Sequence, residues 1–62
     1  MLTAKQKAFC QEYLIDLNST QAATRAGYSS KTAGVQGYQL LQKTSVADRI
    51  AELQAERQAG QV

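Results

Sequence analysis

The sequence predicts an all-α fold, a compact bundle of about four short helices containing a helix-turn-helix. Three observations carry this reading. No proline and only four glycines occur among 62 residues, which leaves long stretches free to be helical. Apolar residues recur at helical spacing in several separate segments. At the centre, the small residues Ala22, Ala23 and Ala26 run into Gly27, and Ser29 and Ser30 follow, so a stop signal for one helix stands directly before a start signal for the next. At this length the chain forms one small domain, and a hydrophobic content of 44% with 19% charged residues suits a folded one.

The first helix is expected to start at Thr3, whose hydroxyl can cap it while Gln6 reaches back in a capping box. Leu2, Phe9, Cys10, Tyr13, Leu14 and Leu17 then project within roughly 140° of one another, opposite Lys5, Lys7, Gln11, Glu12 and Asp16. Ile15 falls on the polar side. Asp16-Leu17-Asn18-Ser19 reads as the break, with Asn18 or Ser19 capping a short second helix over about Thr20 to Ala26. Alanines on one side of that helix call for a closely approaching partner.

Gly27 can take the left-handed conformation that closes a helix, and Ser29 or Ser30 can cap a third helix over Lys31 to Gln42. Its inner face carries Ala33, Gly37, Leu40 and Leu41, and its outer face Lys31, Val35, Tyr38, Gln39 and Gln42, with Thr32 at the edge. Gly34 and Gly37 each cost the helix roughly 1 kcal/mol relative to alanine, which points to a close backbone approach to another helix or to a ligand, packing being the simpler of the two. Tyr28 and Tyr38 are expected as partly buried anchors. Lys43-Thr44-Ser45 interrupts the pattern. A last helix over about Val46 to Arg57 sets Val46, Ile50 and Leu53 on one stripe with Ala47 beside them. The domain is read as residues 1–58 and residues 59–62 as a frayed tail.

Two consecutive helices joined by a tight glycine-containing turn form the motif that, in DNA-binding proteins, lays its second helix in the major groove. The net charge of +2 permits a polyanionic partner. Its distribution says more: through Ala47, Lys5, Lys7, Arg25, Lys31 and Lys43 stand against Glu12 and Asp16, a balance of +3, and the remainder carries −1. Cys10, the lone cysteine, has no internal disulfide partner and no histidine to join it in a metal site, so it reads as a small core residue. Neither a membrane span nor a signal peptide is indicated, and a reducing cytosol fits best. Glu12 and Asp16, one turn apart on an outer face, read as solvated charges, so no catalytic group, metal or cofactor is expected.

An ordered set of residues resembles the N-terminal domain of phage terminase small subunits. It comprises Leu2-Thr3, Phe9, Tyr13 and Leu14, Asp16-Leu17-Asn18, Gln21-Ala22-Ala23, Arg25-Ala26-Gly27-Tyr28-Ser29, Thr32-Ala33, Leu40-Leu41, and Val46 with Ile50. Arg-Ala-Gly-Tyr-Ser is its specific centre. Ser30 stands where the family often has proline, Thr24 where it often has an aliphatic residue, and Gln36 near a usual buried aliphatic of the older helix-turn-helix pattern. The resemblance implies a non-catalytic domain that binds the packaging-initiation site of a viral genome for the large terminase subunit, in the cytoplasm of a bacterial host. It also implies a homo-oligomeric ring formed by a longer chain, with this segment alone monomeric.

The recognition chemistry follows from residue types. Lys31 can reach a phosphate or guanine, Gln36 or Gln39 can pair with an adenine edge, and Thr32 or Val35 can meet a thymine methyl. Arg25, Lys5, Lys7 and Lys43 would contact phosphates if they flank that face. The competing reading is a helical protein-interaction or oligomerisation module, in which Ile15, Val35 and Tyr38 would come together as an apolar patch.

Overall fold

The computed structural model describes residues 2–60, with side chains through Arg57. Four helices follow in order: α1 (Ala4–Asp16), α2 (Ser19–Arg25), α3 (Ala33–Gln42) and α4 (Thr44–Gly60). α1 packs on α2 and α4, and α3 packs on the same two helices.

The start of α1 forms as the sequence dictates. Thr3 Oγ1 accepts from the Gln6 amide at 3.1 Å, and Gln6 Oε1 accepts from the Thr3 amide at 3.0 Å, which satisfies two otherwise orphaned donors. α1 ends differently from the expectation. Leu17 has φ 55° and is 60% exposed, so it leaves the buried stripe to which helical spacing assigned it. The reason is that Leu17 is the left-handed C-cap, its amide donating to Tyr13 O at 2.7 Å, and a left-handed residue no longer follows the helical wheel. Ile15 is 70% exposed, on the polar side as expected. Asn18 then caps α2, its side-chain oxygen accepting from the Gln21 amide at 3.1 Å.

α2 closes in a Schellman arrangement: the Tyr28 amide donates to Ala23 O at 3.0 Å and the Gly27 amide to Thr24 O at 3.2 Å. Gly27 has φ 107°, a conformation open to glycine without a Cβ penalty. Ser29 does not cap α3. Its hydroxyl accepts from the Lys31 amide at 3.3 Å and its carbonyl from the Thr32 amide at 3.1 Å, making a local turn. α3 therefore begins at Ala33, with Thr32 as an N-cap whose hydroxyl donates back to Ser29 O at 3.4 Å instead of accepting from an amide of α3, and Lys31 and Thr32 precede the helix. The link between α2 and α3 is correspondingly longer than the tight turn expected.

Lys43 alone separates α3 from α4. It takes an extended conformation (φ −76°, ψ 127°), and Thr44 and Ser45, expected in the break, already belong to α4. α4 continues through Gly60; Gln61 and Val62 of the expected tail lie outside the described residues.

The core is Phe9, Cys10, Ala22, Ala23, Ala33, Leu40, Val46 and Ile50, ringed by half-buried Leu2, Tyr13, Leu14, Ala26, Tyr28, Leu41 and Leu53. Phe9 stacks on Tyr13 with ring centroids 5.9 Å apart. Ala47, expected beside the α4 stripe, is exposed. Small side chains at Ala22, Ala23, Ala33 and Gly37 let α2 and α3 approach closely. At Gly37 the approach is so tight that an added Cβ would lie 2.5 Å from Ser19 O and 2.8 Å from Ser19 C.

The two glycines of α3 are therefore expected to respond oppositely to alanine. Gly37→Ala forces backbone apart and should destabilise the domain by about 1 to 2 kcal/mol despite the better helix propensity. A Cβ at Gly34 would meet only Thr20 Oγ1, at 3.7 Å. Gly34→Ala should raise stability by up to about 1 kcal/mol. Thermal unfolding of the two variants checks the pair.

Candidate nucleic-acid interface

The burial pattern of α3 leaves one face outward. Ala33, Gly37 and Leu40 are turned inward, which leaves Val35, Tyr38, Gln39 and Gln42 exposed, neighbours at three- and four-residue spacing. Val35 is 60% exposed and Tyr38 63%. Tyr38 is thus exposed on the outer face where its spacing placed it, and is not the partly buried anchor expected. The signal was in the sequence, since Val35, Tyr38 and Gln42 fall outside the Ala33, Gly37, Leu40 and Leu41 stripe. Gln36 is half-buried at the edge of the face.

Exposed lysines stand at both ends of this helix: Lys31 in the turn before it and Lys43 directly after it. Ten residues of helix span about 15 Å. Thr32 is exposed beside Lys31, and the first amides of α3, at the positive end of the helix dipole, have no side-chain cap. Lys5 reaches the same region from α1. Its Nζ lies 5.5 Å from the Tyr28 ring centroid, over the link between α2 and α3. This contact and burial fit Tyr28 as a partly buried anchor, and burial pushes its phenol pKa up. Lys7 is exposed, but two residues from Lys5 on one helix it projects in a different direction.

Arg25 is not poised over the outer face. Its Nε donates to Glu12 Oε1 at 2.6 Å, and Nη1 and Nη2 donate to the two carboxylate oxygens of Asp16 at 3.3 Å each. Nη2 also donates to Glu12 O at 3.1 Å. Glu12 and Asp16 are therefore paired rather than simply solvated. The hydrogen bonds from Arg25 hold the Asp16 carboxyl below the usual carboxylate range, and Asp16 and Glu12 in turn raise the Arg25 pKa. Cys10 is fully buried in the core, and burial raises its thiol pKa. Among the described residues, no three histidine, cysteine or acidic side chains group in a way that would hold a metal ion. No helix among them is long and apolar enough to cross a membrane.

Residues 2–61 match the family model of the terminase small subunit. The chain belongs to that family. It is 46% identical over 50 residues to a terminase small subunit of Bacillus phage SF6, a match covering 79% of this chain and 34% of that protein. A terminase small subunit of Bacillus phage rho15 gives the same figures. Identity is 40% over 55 residues to the PBSX phage terminase small subunit of Bacillus subtilis strain 168, covering 89% of this chain and 21% of that protein. The chain thus spans a minor part of the length of these terminase small subunits.

The Asp16 shift gives a pH dependence with a definite sign. Asp16 has a folded pKa below its ordinary 3.8, so its contribution to stability is fully present above that value and is lost as pH falls through the folded pKa. Asp16→Asn should remove this part of the acid dependence. Melting temperatures of parent and variant are expected to differ near neutral pH and to converge as the pH drops well below 3.8.

Proposed function

We propose that this chain is a non-catalytic double-stranded DNA-binding domain that marks the packaging-initiation site of a phage genome for the large terminase subunit. The observation that carries the reading is the exposed face of α3, lined with hydrogen-bonding side chains and bracketed by Lys31 and Lys43. Membership of the terminase small subunit family supports a role in packaging viral DNA. On this reading α2 and α3 act as the helix-turn-helix, with α3 in the major groove.

The residue chemistry divides into two kinds of contact. Lys31, Lys43 and Lys5 neutralise phosphates, aided by the open amides at the start of α3. Gln39 presents an amide able to pair with an adenine edge, Gln36 does so from the margin, and Thr32 and Val35 offer methyl groups to thymine. Arg25, engaged with Glu12 and Asp16, leaves the phosphate set, and Lys7 joins it only where DNA extends along α1. The domain works in the host cytoplasm as part of a homo-oligomer of the longer chain, where several linked copies raise apparent affinity without any new contact. Alone it is a monomer with weak binding.

One observation favours a second reading. Val35 and Tyr38 expose apolar surface on the same face, which suits a protein partner or a second copy. Ile15, also exposed, lies on α1 and not on the α3 face.

Equilibrium titration with duplex DNA at several salt concentrations, sensitive to micromolar and millimolar complexes, separates the readings. Replacing Lys31 and Lys43 by glutamine should weaken binding to every duplex and flatten the slope of log K against log salt by about 1.8, or about 0.9 per phosphate. Gln39→Ala should instead lose about 1 to 3 kcal/mol only at the cognate site. Self-association or protein capture through this face, with no response to DNA, would give the second reading its place.

A further inference from the structure

α1 has no basic residue in its last turn, yet its carbonyl end is held by arginines from two other helices. Arg57 of α4 donates to Leu14 O at 2.9 Å, and Arg25 of α2 donates to Glu12 O at 3.1 Å. Arg25 goes further: all three of its guanidinium nitrogens donate to acceptors on α1, counting the Glu12 and Asp16 carboxylates. That fork geometry is specific to arginine, because a lysine ammonium is a single point charge.

The contact matters because α2 and α3 form one unit. Gly37 lies so close to the Ser19 backbone that α3 and α2 pack as one layer with no side chain between them at that point. Whatever fixes α2 on α1 therefore also fixes α3 relative to Lys5. Beyond the shared core of Phe9, Cys10, Ala22 and Ala23, the unit makes polar contacts with α1 at two separated places: Arg25 on Glu12 and Asp16, and Tyr28 under Lys5. From Lys5 to Asp16 is about 16 Å along the helix axis. Loss of the Arg25 contact would leave the seven-residue α2 held on α1 by the small side chains Ala22 and Ala23 in the core and by the link through the left-handed Leu17.

We propose that Arg25 is a positioning residue for DNA binding, setting the α2 and α3 unit on α1 so that the α3 face and Lys5 address one duplex together. The proposal rests on the DNA-binding reading above. Arg25 itself does not touch phosphate. Its fork is occupied, and with Glu12 and Asp16 beside it the local charge is net negative, which repels a nucleic-acid backbone.

The test compares Arg25→Lys, Arg25→Gln and Lys31→Gln in duplex titrations over a range of salt, below the melting temperature of each variant. Both Arg25 variants are expected to bind about five- to tenfold more weakly with the parental salt slope, whereas Lys31→Gln loses about 0.9 of slope. Parental affinity in Arg25→Lys, together with a slope loss of about 0.9 in Arg25→Gln, would make Arg25 a phosphate contact and overturn the proposal. If the Arg25 variants do not fold, Asp16→Asn keeps the arginine. At physiological salt, with a screening length of about 8 Å, it should weaken binding, and tighter binding would count against positioning. A parent that binds no duplex overturns the DNA reading itself. The free protein gives an independent arm: residual dipolar couplings should show α3 reoriented against α1 in Arg25→Lys, and unchanged couplings would sink the positioning role.

Discussion

The close approach of α3 to the start of α2, at Gly37 over the Ser19 carbonyl, is the constraint on which the rest of the domain depends. A chain of this size has little apolar area to bury, and its largest fully buried side chains are Phe9, Val46 and Cys10. Alanine and glycine at the α2 and α3 contact let two backbones approach where larger side chains would hold them apart. The resulting pair is closely packed without being hydrophobic-rich, and that packing sets the direction in which one face of α3 is presented. The cost is borne in helix propensity at Gly37, about 1 kcal/mol.

Around that pair, polar groups do the fastening. Thr3 with Gln6, Asn18, and the amides of Gly27 and Tyr28 close helix ends by local bonds. Arg25 and Arg57 then tie the end of α1 to α2 and α4. Cations consequently divide into two roles. Those near Glu12 and Asp16 are engaged within the protein, while Lys31 and Lys43 remain exposed at the ends of α3. Net charge does not reveal that division; the ion pairs do.

The helices were legible where local rules decide them. Thr3 and Gln6 announced the start of α1, Gly27 the stop of α2, and the spacing of Ala33, Gly37 and Leu40 the inner face of α3. Where one local option competed with another, the sequence left the outcome open. Ser29 had amides to cap in either a helix or a turn, and the turn won, moving the start of α3 to Ala33. Leu17 fitted the apolar stripe by spacing, but the chain reversal placed it in a left-handed cap. The candidate face followed from periodicity alone, Tyr38 and Gln42 included. The engagement of Arg25 did not, because it depends on how α2 crosses α1, with Arg25 thirteen positions after Glu12.

The central claim is that the outer face of α3 meets duplex DNA, and a backbone-amide chemical-shift titration at low salt tests it most directly. The account predicts perturbations concentrated at Lys31, Val35, Tyr38, Gln39, Gln42 and Lys43, with Lys5 responding from α1, and fading as salt rises. Shifts absent from these residues while another surface responds, or while only self-association moves them, would contradict it.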